Sequence, residues 1–250
     1  MPDSAAIAAR CCVVIGLLCA AASATEAAQP QAAPEIPRFS ATKGEGLPAG
    51  WEHVPLASYK AVTEYSTTAA DGQTALRALA HGSASLLVTR IDFDPHRYPV
   101  LSWRWKIVRN VAAADSRERK REDAPARVMV SFDGDSRKLS LKERVTASAA
   151  ESISGQPFPY AELMYIWGNK VAVDSLTPSL LSTRIQMIAV GSDDAGVGEW
   201  QSYTRNLVDD YKRAFGEEPG HVVAIKVMTD TDNTGGEAEA LYGDIRVQAH

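Results

Sequence analysis

Cysteine is scarce in this 250-residue chain, and all three (Cys11, Cys12 and Cys19) sit in one apolar run near the start. If that run is removed, no thiol remains. Disulfides, a cysteine-ligated metal and a cysteine nucleophile are then excluded. That run is itself too short to span a bilayer comfortably and no later one approaches membrane length, so the mature chain carries no expected transmembrane segment. No basic stripe or tail offsets the net charge of −5, which argues against nucleic acid as a partner. The one charge run, Arg117–Asp123, is mixed in sign and reads as a solvated loop. The five histidines show no i,i+4 spacing and no H-E-x-x-H context. A G-x-S-x-G elbow and a glycine-rich phosphate loop are missing too. Known catalytic constellations therefore find no support.

What is present begins with a targeting segment. Arg10 precedes the apolar run Cys11–Ala22, and Ala22-Ser23-Ala24 supplies the small residues a signal peptidase needs. Residues 1–24 are expected to be a signal peptide, cleaved before Thr25. A lipid anchor on Cys19 is disfavoured by the bulky Leu18 before it. Residues 25–37, rich in Ala, Gln and Pro, read as a flexible leader. Residues 38–250 then form a single domain, in the periplasm or outside the cell. About 225 residues suffice for a core that needs no covalent staple.

Period-two patterning dominates this domain. Eight strands are expected: 61–66, 85–93, 100–107, 126–133, 163–167, 182–190, 222–228 and 240–247. In Val100–Ile107, Leu101, Trp103, Trp105 and Ile107 share one face, while Ser102, Arg104 and Lys106 share the other. In Ala126–Asp133, Val128, Val130 and Phe132 oppose Arg127, Met129, Ser131 and Asp133. Two helices interrupt the strands. Ser140-Leu-Lys-Glu143 is a capping box whose helix runs through Val145, Ala149 and Ile153 to Gly155. Asn206–Phe215 carries the stripe Leu207, Tyr211 and Phe215 and stops at Gly216. Both read as packed connections. The expected fold is all-β: an antiparallel sandwich of jelly-roll type with two short helices.

Three sets of residues suggest binding. Asp230-Thr-Asp-Asn-Thr-Gly235 begins like a calcium loop, with Asp230, Asp232 and Asn233 as oxygen ligands and Gly235 as the turn. Thr234 and Leu241 stand where an EF-hand needs ligands, so that motif is excluded, and a structural calcium at a sandwich edge is the candidate cofactor. A plain Asx turn accounts for the same residues. The second set is the polar strand faces. If the Trp strand and 126–133 are neighbours, Arg104, Arg127 and Asp133 share a surface that binds ligand or pairs internally. The third is Tyr165 and Trp167, on one strand face before Gly168-Asn169, which suit sugar stacking or core packing. Trp103 and Trp105, flanked by Leu101 and Ile107, read as core. Carboxylates for glycoside chemistry would come from Asp123, Asp133, Glu151 and Asp232.

Several motifs together resemble a bacterial family, domain of unknown function 3047. They are Tyr98–Lys106, Asp123–Val128, Phe132-Asp-Gly-Asp135, Asp210-Tyr211, Phe215-Gly-Glu-Glu-Pro219, Met228–Gly235 and Tyr242-Gly-Asp-Ile245. The resemblance spans most of Phe39–Val247 and implies a secreted bacterial protein, with no activity or catalytic residues attached. Leu241 stands where the pattern suggests an aromatic. More loosely, the closing Tyr-x-Asp-Ile strand is similar to jelly-roll carbohydrate-binding and galactose-binding-like domains, a likeness of fold that brings no function. The expected function is a non-catalytic module binding carbohydrate or another cell-envelope polymer through Arg104, Arg127, Asp133, Tyr165 and Trp167. A glycan-active enzyme and an envelope interaction protein are the alternatives.

Overall fold

The computed structural model describes residues 33–44 and 46–249. The expected signal peptide, the leader up to residue 32 and the three cysteines lie outside the described residues. From Ala33 on, the chain is one compact unit. Thirteen strands and two α-helices are seen among the described residues.

Seven strands form one sheet: β1 (Glu52–Pro55), β4 (Ala84–Phe93), β6 (Ala124–Phe132), β7 (Ala161–Gly168), β8 (Leu176–Pro178), β9 (Ile185–Ser192) and β11 (Val222–Asp230). Their order is β1-β4-β11-β6-β7-β9-β8. The second sheet has the order β10-β5-β12-β3-β2, with β13 also pairing β5. It is built from β2 (Glu64–Ala70), β3 (Gln73–His81), β5 (Val100–Arg109), β10 (Trp200–Asn206), β12 (Glu237–Tyr242) and β13 (Arg246–Gln248). The two sheets pack as a sandwich, so the all-β expectation holds. One pair, β7 with β9, is parallel, and the loop that carries β8 makes the crossover. Among the described residues, no helix is long and apolar enough to cross a membrane.

Alternation explains the core. Leu101, Trp103, Trp105 and Ile107 of β5 face Val128, Val130, Leu163, Tyr165 and Trp167 of the other sheet, all buried in one cluster. Trp103 lies 5.0 Å from the Tyr165 ring, across the sandwich. Ile36 and Phe39 join this core, and Trp51 donates its indole N–H to the Pro37 carbonyl. The turn between β2 and β3 is two residues, Asp71-Gly72, both at positive φ, the geometry that matches hairpin twist.

Four strands carry no clear signal in the sequence: β1, β3, β8 and β10. The closing strand is split. The break begins at Gly243, where a Cβ would lie 2.6 Å from the Arg104 side chain, so only glycine fits there. The strands β5 and β6 are not neighbours; they belong to different sheets. Arg104 and Arg127 consequently point out of opposite sides of the sandwich.

Both helices start and stop where the sequence indicates. The first, α1 (Leu141–Ser154), has its complete capping box and a left-handed Gly155. The second, α2 (Leu207–Phe215), is capped by Asn206 and ends at Gly216. Only α2 is packed, with Leu207 and Tyr211 in the core. No residue of α1 is buried, which corrects the expectation of a packed connection.

Candidate functional site

The outward face of the seven-stranded sheet is not the solvated face that alternation implies. Every residue of β6 and β7 is buried, on both sides. An open cleft of about 970 Å³ lies over this face, walled by α1 and by the loops around residues 56–60, 154–160 and 179–181. That volume is at the upper end of ordinary ligand sites, about 300–1,000 Å³.

Strand register lays the floor out in rows. Lys226, Met129, Met164 and Met187 stand in line across β11, β6, β7 and β9. The next row on one side is Ala224, Ser131, Glu162 and Ile185; on the other it is Met228, Arg127, Ile166 and Ala189. Met129, Met164, Met187 and Met228 are all the methionines beyond Met1, and they form one cluster. Thioethers on flexible stems adapt to varied apolar shapes.

Charged groups on this floor are neutralised in place. Glu162, almost fully buried, receives Lys226 Nζ and Ser131 Oγ, each at 2.5 Å, on the same oxygen. Arg127 grips Asp230 with both arms of its guanidinium, Nε to Oδ1 at 2.8 Å and Nη2 to Oδ2 at 3.0 Å. It also donates to the Glu122 carbonyl, and its Nη1 lies 3.0 Å from Met164 Sδ. Burial pushes the Asp230 carboxyl up to about 6 against the pull of Arg127, so it is ionised at neutral pH. Lys60 pairs with Asp232.

Asp123, Asp230 and Asp232 bring carboxylate oxygens within 4.8 Å of one another. The donor set nevertheless does not fit a cation. Both Asp230 oxygens are taken by Arg127, and Asp232 is held by Lys60. Asp123 accepts from Asn233 N (3.1 Å), Thr234 N (2.8 Å) and Thr234 Oγ1 (2.6 Å). A calcium ion would have to compete with the guanidinium of Arg127 and the ammonium of Lys60, which already neutralise Asp230 and Asp232.

The residues singled out from the sequence separate into three places. Arg127, Asp133, Asp230, Asp232 and Asn233 line the cleft. Arg104 lies on the far sheet, its guanidinium 4.4 Å from the Trp200 ring centroid and bonded to Gln73. Tyr165 and Trp167 are fully buried between the sheets, which corrects their assignment as a stacking surface. Neither ring has a face open to ligand, and their polar edges are satisfied internally, Tyr165 donating to Asp210 at 2.9 Å and Trp167 to the Asp193 carbonyl at 2.8 Å. Of the carboxylates considered for glycoside chemistry, Asp133, Glu151 and Asp232 line the cleft, while Asp123 is buried beneath the 230–235 turn.

Lys60, Glu162, Lys226 and the methionine cluster were not foreseen. A usable signal existed for two of them. Glu162 and Lys226 are single charges inside otherwise apolar strands, at the positions whose neighbours two residues away face the cleft.

A family model described as "Protein of unknown function (DUF3047)" matches residues 49–246. No curated protein sequence matches the chain. Among solved structures, the xyloglucanase domain of NopAA, a type three effector from Sinorhizobium fredii in complex with cellobiose, aligns with a TM-score of 0.43 at 8% identity, covering 89% of this chain and 100% of that one. The K3 cleaved adhesin domain of Lys-gingipain from Porphyromonas gingivalis w83 aligns at 0.38 and 10% identity, covering 87% and 100%. Both scores lie below 0.5, so neither name transfers to this chain.

Proposed function

The chain belongs to the DUF3047 family of proteins of unknown function, and we propose that it is a non-catalytic module that binds a carbohydrate or other cell-envelope polymer in the cleft. The observation that carries this reading is the charge balance of the site. Six basic and six acidic side chains line the cleft, and those on the floor are already paired. A salt-bridged lysine or carboxylate still has a free donor or lone pair for a hydroxyl. Such a surface suits a neutral, hydroxylated ligand better than an ion. The methionines between the pairs offer apolar contact for the C–H faces of sugar rings. Openness along the sheet suits an extended chain.

Pairing of the two buried floor carboxylates, Asp230 and Glu162, favours binding over hydrolysis on the floor itself. Glycoside cleavage needs one carboxyl free to give a proton and a second free to act as base or nucleophile. Asp230 has a raised pKa, yet both its oxygens are occupied by Arg127. Glu162 is shared between Lys226 and Ser131. A periplasmic or secreted location, expected from residues 1–24, belongs to the same proposal and is checked by fractionating cells that express the full chain. Calorimetric titration with peptidoglycan fragments and a panel of envelope polysaccharides tests the ligand class. Saturable binding without release of product supports the module; product release would give the cleft to an enzyme.

A further inference from the structure

Helix α1 leaves its apolar stripe exposed, with only Ile153 at its end reaching the rim of the cleft. Leu141, Val145, Ala149 and Ile153 recur every four residues and share one side. Leu141 is 71%, Val145 61% and Ile153 58% exposed. The residues drawn partly inward are instead Glu143, Thr146, Ala147, Ala150 and Ser154. A surface helix of a globular protein normally has the opposite arrangement. The segment 179–184 lies against the first turn of α1, where Thr183 Oγ1 donates to Glu143 at 3.1 Å. It adds Leu180 at 39% and Leu181 at 53% exposure. Five of the eleven large hydrophobic side chains exposed among the described residues thus gather on two touching segments.

The charge around this stripe is positive, on a chain whose net charge is −5. Lys138, Lys142 and Arg144 make no ion pair among the described residues. The nearby acids are all engaged: Asp135 with Arg137, Glu143 with the Ser140 cap and Thr183, and Glu151 with the backbone N–H of Phe158. An apolar stripe rimmed by unpaired cations is complementary to an anionic lipid surface. Aliphatic side chains enter the acyl boundary, and the long basic stems reach back to the phosphates. A second copy fits less well, because a two-fold contact would set one basic rim against the other.

We infer that α1 and the 179–184 segment form a docking surface for an anionic lipid membrane. The helix lies flat among the headgroups with Leu141, Val145 and Leu181 inward. Because α1 is also a wall of the cleft, and Leu180 and Leu181 line it, docking sets the cleft beside the lipid surface.

Flotation of the full chain with vesicles tests this. Phosphatidylcholine vesicles containing phosphatidylglycerol should carry roughly tenfold more protein than phosphatidylcholine alone, and added salt should release it as screening shortens. The pair Leu141→Ser with Val145→Ser, and separately Lys138→Glu with Lys142→Glu, should each lower binding about tenfold. Melting temperatures should not change, since none of these side chains is buried. Equal binding to both vesicle types overturns the inference, as does binding that survives both pairs. A concentration-dependent dimer abolished by the serine pair would also overturn it, by giving the stripe to a second copy.

Discussion

At the scale of single residues, the pair Arg127–Asp230 governs the floor of the cleft. Both side chains are almost fully buried, and the fork geometry satisfies each with the other. Removing one partner leaves an uncompensated charge inside the protein, which typically costs about 3–5 kcal/mol. Asp230→Ala should lower the urea unfolding free energy by about that amount; a loss under about 1 kcal/mol would mean that the guanidinium finds other partners. The same geometry predicts that calcium and chelator leave the melting temperature unchanged to within about a degree, because a cation that does not bind cannot stabilise. A calcium-dependent rise of several degrees would return the acidic cluster to metal binding.

Residue identity was readable where alternation alone decides. Trp103 and Trp105 are core because Leu101 and Ile107 share their face, and the structure buries all four. The same rule applied to Leu163, Tyr165 and Trp167 would have placed those rings inside. Their position beside Gly168-Asn169 suggested an edge that does not exist. The partner of a charge was not readable. Asp230 meets Arg127 103 positions away, a consequence of strand pairing that leaves no local trace. Several acids in the motifs that carry the family resemblance turn out to be clamps. Asp210 holds Tyr165 and Arg205; Glu217 holds Tyr160, Arg184 and Tyr211; Asp244 holds the backbone and hydroxyl of Ser40. These motifs report how the sandwich is fastened more than what it binds.

At the scale of elements, local chemistry specified helix ends well and helix burial badly. Ser140, Glu143, Gly155, Asn206 and Gly216 each act as the sequence suggests. Whether an apolar stripe finds a partner depends on the rest of the fold, and α1 finds none. Its stability therefore rests on its caps. Ser140→Ala should cost about 1 kcal/mol of helix stability, felt in α1 alone. Hydrogen exchange should show faster exchange across 141–154 with the sheets unaltered and the global melting temperature nearly constant. A global drop of several degrees would show that α1 is coupled to the core after all. The unforeseen strands have physical reasons as well. Trp200–Asn206 has no apolar alternation because no residue of β10, an edge strand, is fully buried, and β1 and β8 are too short to show a period.

At the scale of the whole molecule, composition and period two were enough to indicate a two-layer β protein. They could not give the strand order. The assignment of β5 and β6 to different sheets divides residues that look adjacent in pattern, with Arg104 on one side and Arg127 on the other. It also creates the cleft, since β6 and β7 sit in the middle of their sheet with walls above them. The central claim is that this cleft, with its paired charges and methionine floor, holds a neutral envelope polymer without cleaving it. Ala147 looks into the cleft from the wall of α1, and a large side chain there should fill the site without touching the core. The decisive measurement is calorimetric titration of envelope polysaccharides into the unaltered chain and into Ala147→Trp, with the products analysed afterwards. The account predicts saturable binding by the unaltered chain, intact polymer at the end, and affinity lowered at least about tenfold, or about 1.4 kcal/mol, in the variant. Binding that is indifferent to Ala147→Trp, or shortened polymer in the cell, would contradict it.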